Sequence, residues 1–324
     1  MNNNITKPRI LCVVGSTASG KTSLSVELAR QLDGEIVSCD SMQIYRGMNI
    51  GTATPTEEER CGIPHHLMDF VDPTDPRGYS CADYVTDARR AVEDILSRGK
   101  FPILCGGTGL YLDAFLRGSS FDATAGDSVL RAELCALAER EGAEALHAIL
   151  EELDPETAAA VHPNNVKRVA RAIEICRTTG RKKSELDRES REVESPYDAT
   201  VLGLQYHNRE LLYERINRRV DLMLEEGLIE ETRRLREQGV FVICQTAAQA
   251  IGYKELFPYL DGEATLDECV ETLKMATRRY AKRQLTWFSA KDYVRWIPCD
   301  TPLSEGGIVK NFEDIVNNAK TLFP

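Results

Sequence analysis

Residues 9–22 read Arg-Ile-Leu-Cys-Val-Val-Gly-Ser-Thr-Ala-Ser-Gly-Lys-Thr, and this stretch decides the fold. Its first six residues form a short apolar run with β-branched side chains, which is typical of a strand buried in a parallel sheet. Residues 15–22 match the pattern G-x-x-x-x-G-K-[ST] completely. From Thr22 to Leu32, apolar residues recur on one helical face. A strand, a glycine-rich loop and a helix in this order predict a phosphate-binding loop.

The chemistry of this loop follows from its residue types. Gly15 and Gly20 let successive backbone N–H groups curl around a phosphate, while the helix N-terminus and Lys21 supply positive charge. The Thr22 hydroxyl is placed to ligate Mg²⁺ on a diphosphate, so Mg²⁺ is the expected cofactor. The predicted phosphate-binding residues are Gly15, Ser16, Thr17, Ala18, Ser19, Gly20, Lys21 and Thr22.

The downstream pattern extends the motif into an α/β fold. Residues 35–38 and 101–105 read as further strands, and residues 81–98 fit a helix between them. These spacings predict a parallel sheet core like that of P-loop NTPases. Long helices are expected over 208–238 and 265–287, and strands over 199–205 and 293–297.

A change of composition marks a second domain. Residues 122–160 hold ten acidic and two basic side chains, whereas residues 164–183 hold seven basic side chains and one acid, Glu174. Both stretches carry helical periodicity. We therefore predict a helical insertion domain over 122–197 and a catalytic core formed by 1–121 and 198–324.

Composition excludes several classes of protein. The chain has 324 residues, is 42% hydrophobic and carries a net charge of −11, which is ordinary for a globular protein and excludes disordered and coiled-coil chains. The ten cysteines form no CxxC pair, so a zinc ribbon has no support. No apolar run approaches the roughly 18 residues of a membrane span. We expect a soluble, cytoplasmic monomer that does not contact membranes.

Candidate catalytic groups follow the second and third strands. Asp40 comes just after residues 35–38, where a carboxylate near a bound diphosphate could accept a proton; a simple turn aspartate is the alternative. Gln43 could bond a base edge, adenine especially, or be solvated. Thr108 follows Gly106-Gly107, which is otherwise a tight turn. His65 and His66 lack a third ligand at metal spacing, so a loop is expected there.

Positive charge is clustered despite the acidic total. The clusters comprise Lys167, Arg168, Arg171, Arg177, Arg181, Lys182 and Lys183; then Arg215, Arg218 and Arg219; then Arg278, Arg279, Lys282 and Arg283. Each could be a solvated helix face. A phosphate-rich polymer, or a diphosphate near Arg215 or Arg219, would explain their recurrence.

Together these motifs resemble the tRNA dimethylallyltransferase family, in order and over about residues 8–298. The resemblance runs through residues 15–22, 38–53, 64–67 and 106–111, then 162–168, 215–221, 249–255 and 279–287. Ser16 stands where proline is common, and Asn164-Asn165 replaces Asn-Asp. The resemblance implies transfer of a dimethylallyl group from dimethylallyl diphosphate to N6 of the adenosine 3′-adjacent to the anticodon, and an insertion domain that grips the anticodon stem-loop.

The resemblance also implies residue roles. Asp40 would accept the N6 proton, Thr108 would orient the donor or the amine, and Arg215 and Arg219 would stabilise the leaving diphosphate with Lys21 and Thr22. The implied tRNA contacts are Asp40, Ser41, Met42, Gln43, Thr108, Arg131, Asn164, Asn165, Lys167, Arg168, Arg171, Gln249, Lys282 and Arg283.

Three other functions compete with this one. A phosphate-loop kinase of a small metabolite or nucleotide would carry the same loop, but no apolar strand here ends in the aspartate that holds its metal. An isopentenyltransferase acting on free adenine nucleotides shares the early motifs, and the basic clusters argue against it. A non-catalytic RNA-binding protein does not need the complete phosphate loop with Asp40.

Overall fold

The computed structural model describes residues 7–117 and 127–299. Its centre is a six-stranded sheet in the order β3-β2-β4-β1-β5-β6, and every neighbouring pair is parallel. The strands are β1 (Arg9–Gly15), β2 (Gly34–Ser38), β3 (His65–His66), β4 (Phe101–Gly106), β5 (Asp198–Gln205) and β6 (Val294–Pro298). The predicted fold, a parallel P-loop-like α/β core with a helical insertion, is confirmed.

Fourteen α-helices lie in the described ranges. Those of the first half are α1 (Lys21–Leu32), α2 (Glu57–Arg60), α3 (Cys81–Ser97), α4 (Gly109–Leu116), α5 (Ser128–Glu141), α6 (Ala143–Leu153) and α7 (Pro155–Ala160). Those of the second half are α8 (Val166–Thr179), α9 (Lys183–Glu192), α10 (Arg209–Glu225), α11 (Leu228–Glu237), α12 (Val240–Ile243), α13 (Phe257–Leu260) and α14 (Leu266–Ser289). Short 3₁₀ turns form at Ala247–Gln249 and Lys254–Leu256.

The order of the strands places the functional loops together. Strand β1 is almost entirely buried and lies between β4 and β5, as its apolar composition predicts. The carboxyl ends of parallel strands share one edge of a sheet. The phosphate loop after β1, Asp40 after β2 and Thr108 after β4 therefore lie at the same edge.

Two sequence expectations are wrong. The helix expected over 208–238 is two helices, α10 and α11, because Gly227 between them adopts a φ of 100° that breaks the helical path. The loop expected at His65 and His66 is instead the short edge strand β3. Its register pairs Ile36 with His65, and the His66 Nε2 atom lies 2.7 Å from a carboxylate oxygen of the buried Glu35.

The described residues cluster into two compact units, one within 1–116 and 197–324 and the other within 117–196. The boundary expected at 121/122 falls in 118–126, outside the described residues. The smaller unit contains helices α5–α9 around its own apolar core, which includes Leu134, Leu146, Leu150, Val169 and Ile173.

No helix in the two described ranges combines the length and the apolar character needed to cross a membrane.

Candidate active site

A cavity of about 390 Å³ opens beside the phosphate loop. Its wall contains ten of the predicted site residues: Thr17, Lys21, Thr22, Asp40, Ser41, Met42, Gln43, Arg219, Gln249 and Arg283. Apolar side chains complete it, including Ile36, Met68, Ile216, Val220 and Met223. The cavity therefore combines a polar, phosphate-binding end with an apolar lining.

The phosphate loop has the backbone geometry that its glycines predict. Gly20 adopts a φ of 96°, and a side chain at Gly15 would meet the Leu204 carbonyl oxygen at 2.9 Å. The Lys21 ammonium donates to the Ser16 carbonyl at 2.7 Å. Burial lowers the pKa of Lys21 to about 8, with the Arg219 charge contributing to the lowering and Asp40 opposing it. An anion in the loop would stabilise the ammonium and so raise this pKa again.

Two arginines of α10 reach the cavity region from almost 200 residues further along the chain. Arg215 donates from Nε to the Ala18 carbonyl at 2.8 Å, and Arg219 donates to the Ala53 carbonyl at 3.2 Å. Burial lowers the pKa of Arg219. Arg218, between them, is exposed. The structure thus brings Arg215 to the phosphate loop and Arg219 to the cavity wall, and it brings Arg218 to neither.

Asp40, Ser41 and Thr108 are held together as one group. The Ser41 N–H donates to the Thr108 hydroxyl at 3.0 Å, and that hydroxyl lies 3.2 Å from the Ser41 hydroxyl. The Met42 N–H donates to one Asp40 carboxylate oxygen at 2.9 Å. Asp40 and Ser41 line the cavity, and Thr108 lies beside Ser41 and is absent from the lining. Thr108 is therefore placed to orient Ser41 directly.

Gln43 is bound by the loop that follows it. Its amide nitrogen donates to the carbonyls of Thr52 and Ala53, at 3.4 Å and 3.1 Å, and its amide oxygen accepts from Ser38. The side chain is therefore oriented, and a base edge would compete with these carbonyls for its N–H groups.

Glu231, on α11, is a supporting residue that the sequence analysis missed. Its buried carboxylate accepts from the backbone N–H groups of Asn49, Ile50 and Gly51 at 2.9–3.1 Å, and from the Tyr253 hydroxyl at 2.9 Å. A side chain at Gly51 would meet the Tyr253 ring at 2.4 Å. Glu231 thus fixes the segment that leads to the Thr52 and Ala53 carbonyls.

Gln284 and Tyr280, on α14, were also missed and line the cavity. Gln284 accepts a hydrogen bond from the Thr17 N–H at 2.8 Å. Burial, followed by the charge of Asp40, raises the pKa of the Tyr280 hydroxyl, which therefore stays protonated. The Arg283 guanidinium lies 5.4 Å from the centre of the Tyr280 ring, within cation–π range.

The remaining predicted residues are absent from the lining of this cavity. In the smaller unit, Arg131 and Arg171 form ion pairs with the buried Glu174 at 2.7 Å and 2.6 Å. Burial alone would raise the pKa of Glu174, but these two arginines outweigh it and the pKa is lowered. Asn164, Asn165, Lys167 and Arg168 are exposed, as is Lys282 of the larger unit.

Comparison with known proteins assigns the family. The family model described as IPP transferase matches residues 43–291, and that of isopentenyl transferase matches residues 8–69. The tRNA dimethylallyltransferase of Bacillus subtilis is 50% identical over 303 residues, which are 94% of each chain. The chain belongs to the tRNA dimethylallyltransferase family.

Solved structures of the tRNA dimethylallyltransferase family share the fold. A full-length tRNA isopentenylpyrophosphate transferase from Bacillus halodurans is 45% identical, with a TM-score of 0.70, 97% of this chain covered and 96% of that chain. A eukaryotic dimethylallyltransferase captured acting on tRNA is 34% identical, with a TM-score of 0.79, 92% of this chain covered and 75% of that chain. The family resemblance stated from the sequence is confirmed.

Proposed function

We propose that this chain transfers the dimethylallyl group from dimethylallyl diphosphate to N6 of the adenosine 3′-adjacent to the anticodon of tRNA, releasing diphosphate. One observation carries the proposal: a single cavity is lined both by residues of the phosphate loop and by Asp40. This carboxylate follows strand β2 and accepts a hydrogen bond from the Met42 N–H. The names of the relatives at about 50% identity support the same reaction.

The donor would bind with its diphosphate in the loop. Thr17, Lys21 and Thr22 of the loop line this end of the cavity, Arg219 lines it too, and Arg215 donates to the Ala18 carbonyl of the loop. The apolar lining, including Ile216, Val220 and Met223, suits the five-carbon dimethylallyl group.

The transfer itself needs one bond to form and one to break. The N6 nitrogen forms a bond to the first carbon of the dimethylallyl group while the carbon–oxygen bond to the diphosphate breaks, and the electron pair leaves with the diphosphate. Lys21, Arg215 and Arg219 would stabilise the charge that develops on that leaving group. Asp40 would accept the N6 proton. Gln43 and Ser41 would contact the base.

Magnesium fits the donor end of the cavity. Thr22 lines it next to Lys21, and in the described ranges no three His, Cys, Asp or Glu side chains form a metal site of their own. Mg²⁺ commonly takes most of its ligands from phosphates and water, so one hydroxyl from Thr22 is a suitable protein contribution. When bound, the ion would neutralise part of the diphosphate charge.

The tRNA would contact exposed positive side chains outside the cavity. Lys167 and Arg168 begin α8 and face solvent, and Lys282 lies next to the cavity residue Arg283. An adenine that reaches a recessed carboxylate must leave its stack, so the nucleotide would be flipped out of the loop. The enzyme would act as a monomer, in the cytoplasm where tRNA is available.

The deciding assay incubates the protein with labelled dimethylallyl diphosphate and either tRNA or AMP. We expect label in tRNA alone. Label in AMP would indicate a free-nucleotide isopentenyltransferase, and nucleoside triphosphate turnover without tRNA would indicate a kinase.

Asp40→Ala tests the assigned base. We expect it to abolish single-turnover transfer and to leave tRNA affinity within about twofold of the wild-type value. The exposed Asp292→Ala is the matched control and should transfer normally. Unchanged transfer by Asp40→Ala would refute the role of Asp40.

A further inference from the structure

Gln284 is a polar residue on the buried face of a helix. On α14 it lies between Ala281 and Phe288, which are 0% and 1% exposed, and Gln284 itself is only 5% exposed. These three positions are spaced as one apolar stripe. A buried amide in such a stripe is costly unless every polar atom is bonded, so its partners matter.

Both ends of the Gln284 amide are bonded to the two halves of the site. The oxygen accepts from the Thr17 N–H of the phosphate loop at 2.8 Å. The nitrogen donates to the Gly107 carbonyl at 3.1 Å. Gly107 precedes Thr108, whose hydroxyl holds the Ser41 N–H next to Asp40. One side chain therefore links the phosphate loop to the residues that hold Ser41 next to Asp40, the proposed proton acceptor.

The space around Gly107 is shaped by this amide. A Cβ atom at Gly107 would lie 2.0 Å from the Gln284 amide nitrogen, and its next nearest contact outside Gln284 would be an ordinary 3.5 Å. Gly107 does not adopt a positive φ. The backbone conformation thus permits a side chain at position 107, but the Gln284 amide lies too close to leave room for one.

We propose that Gln284 is a positioning residue that fixes the phosphate loop relative to Gly107 and Thr108, and through Thr108 relative to Ser41. It would thereby set the distance between the donor carbon and the accepting amine. The proposal rests on the transferase function proposed above. Transfer requires the reacting atoms to be about 3–3.5 Å apart, and a misplacement of about 1 Å can cost 100-fold in rate. A buried amide that makes hydrogen bonds through both its oxygen and its nitrogen holds its two partners firmly, because breaking either hydrogen bond leaves an unsatisfied polar group.

The first test replaces the amide with a side chain of similar shape that cannot make these bonds. For Gln284→Met we expect kcat for transfer to tRNA to fall about 10- to 100-fold. The Kd for inorganic diphosphate, measured by calorimetry, should rise several-fold because the loop loses the partner of Thr17. The Kd for tRNA should stay unchanged. A variant with wild-type kcat and diphosphate Kd but a lower melting temperature would overturn the proposal.

A matched control separates positioning from general destabilisation. Ile95 is fully buried near the end of α3, which leads into the amino end of β4, at the opposite edge of the sheet from the cavity. Ile95→Ala should lower the melting temperature and leave kcat and diphosphate affinity unchanged. Equal kinetic losses in Ile95→Ala and Gln284→Met would refute a positioning role.

The second test is a double-mutant cycle between residues 107 and 284. Gly107→Ala should lower kcat and diphosphate affinity in the wild-type background, because the new methyl group displaces the Gln284 amide. In a Gln284→Ala background the clash is gone, so Gly107→Ala should add little. Independent, multiplying losses would overturn the link. The diphosphate arm needs no turnover, so it decides this proposal even if the wild-type protein fails to label tRNA, an outcome that would refute the proposed function alone.

Discussion

Replacing Glu231 with glutamine tests whether a buried carboxylate holds the segment in front of the cavity. Four donors converge on this carboxylate: three consecutive backbone N–H groups, from Asn49 to Gly51, and the Tyr253 hydroxyl. Glutamine keeps one acceptor oxygen and presents an NH₂ group where the other oxygen was. Since the Ile50 N–H bonds both oxygens, the better orientation of the amide leaves Asn49 alone without its acceptor. Hydrogen bonds to a charged group contribute about 1.5–3 kcal/mol each.

The expected loss in the free energy of unfolding is therefore about 2 kcal/mol, the contribution of one such hydrogen bond, because glutamine also avoids the cost of burying a charge. Tyr253→Phe removes one donor and should cost about 1.5 kcal/mol. Urea unfolding followed by tryptophan fluorescence reports on the larger unit, since Trp287 and Trp296 both belong to it.

The neighbouring Glu230→Gln is the control for this experiment. Glu230 is exposed, and its replacement should change stability by less than about 0.5 kcal/mol. Glu231→Gln should also slow transfer, since the Thr52 and Ala53 carbonyls that follow the anchored segment hold Gln43 and Arg219. A stability of Glu231→Gln within about 1 kcal/mol of the wild-type protein would refute the reasoning.

Two further predictions concern charge. Diphosphate affinity should fall as pH rises through about 8, where the Lys21 ammonium loses its proton. The unfolded chain holds that proton up to its ordinary pKa of 10.5, so the wild-type protein should gain stability relative to Lys21→Met between pH 8 and 10.5. The same dependence of melting temperature on pH in both proteins would contradict this. In the smaller unit, Arg168→Glu should weaken tRNA binding and lower by about 1 the slope of log binding constant against log salt concentration, without unfolding the unit. Arg171→Glu should also destabilise the unit, because Glu174 loses one of its ion-pair partners. Equal melting temperatures for both variants would show that the ion pair contributes nothing.

Local sequence patterns predicted the parts of the site that are built locally. Residues 9–22 form their strand, loop and helix within a single short stretch, and Asp40 and Thr108 each follow a strand whose end is visible in the hydrophobic pattern. Net charge alone does not indicate a polymer substrate, because −11 is a sum over an acidic stretch and several basic clusters. The clusters then carried the inference toward a polymer substrate.

The supporting residues could not be predicted in the same way, because their partners lie far along the chain. Glu231 bonds a segment about 180 residues earlier, and Gln284 bonds Thr17 at a separation of 267 residues. A weaker signal was present for both. Glu231 shares the buried face of α11 with Leu228 and Leu235, as Gln284 does with Ala281 and Phe288. A polar residue inside an apolar stripe is the pattern that would have found them.

The position of β1 between β4 and β5 has a consequence for synthesis on the ribosome. Strand β5 begins at Asp198, after the whole helical unit, so one edge of the strand that carries the phosphate loop has no partner until then. An apolar strand with an open edge is a template for pairing with other chains. A nascent or truncated chain that ends before residue 198 would thus expose that edge, and we expect such fragments to need chaperones or to aggregate, with no partial enzyme formed.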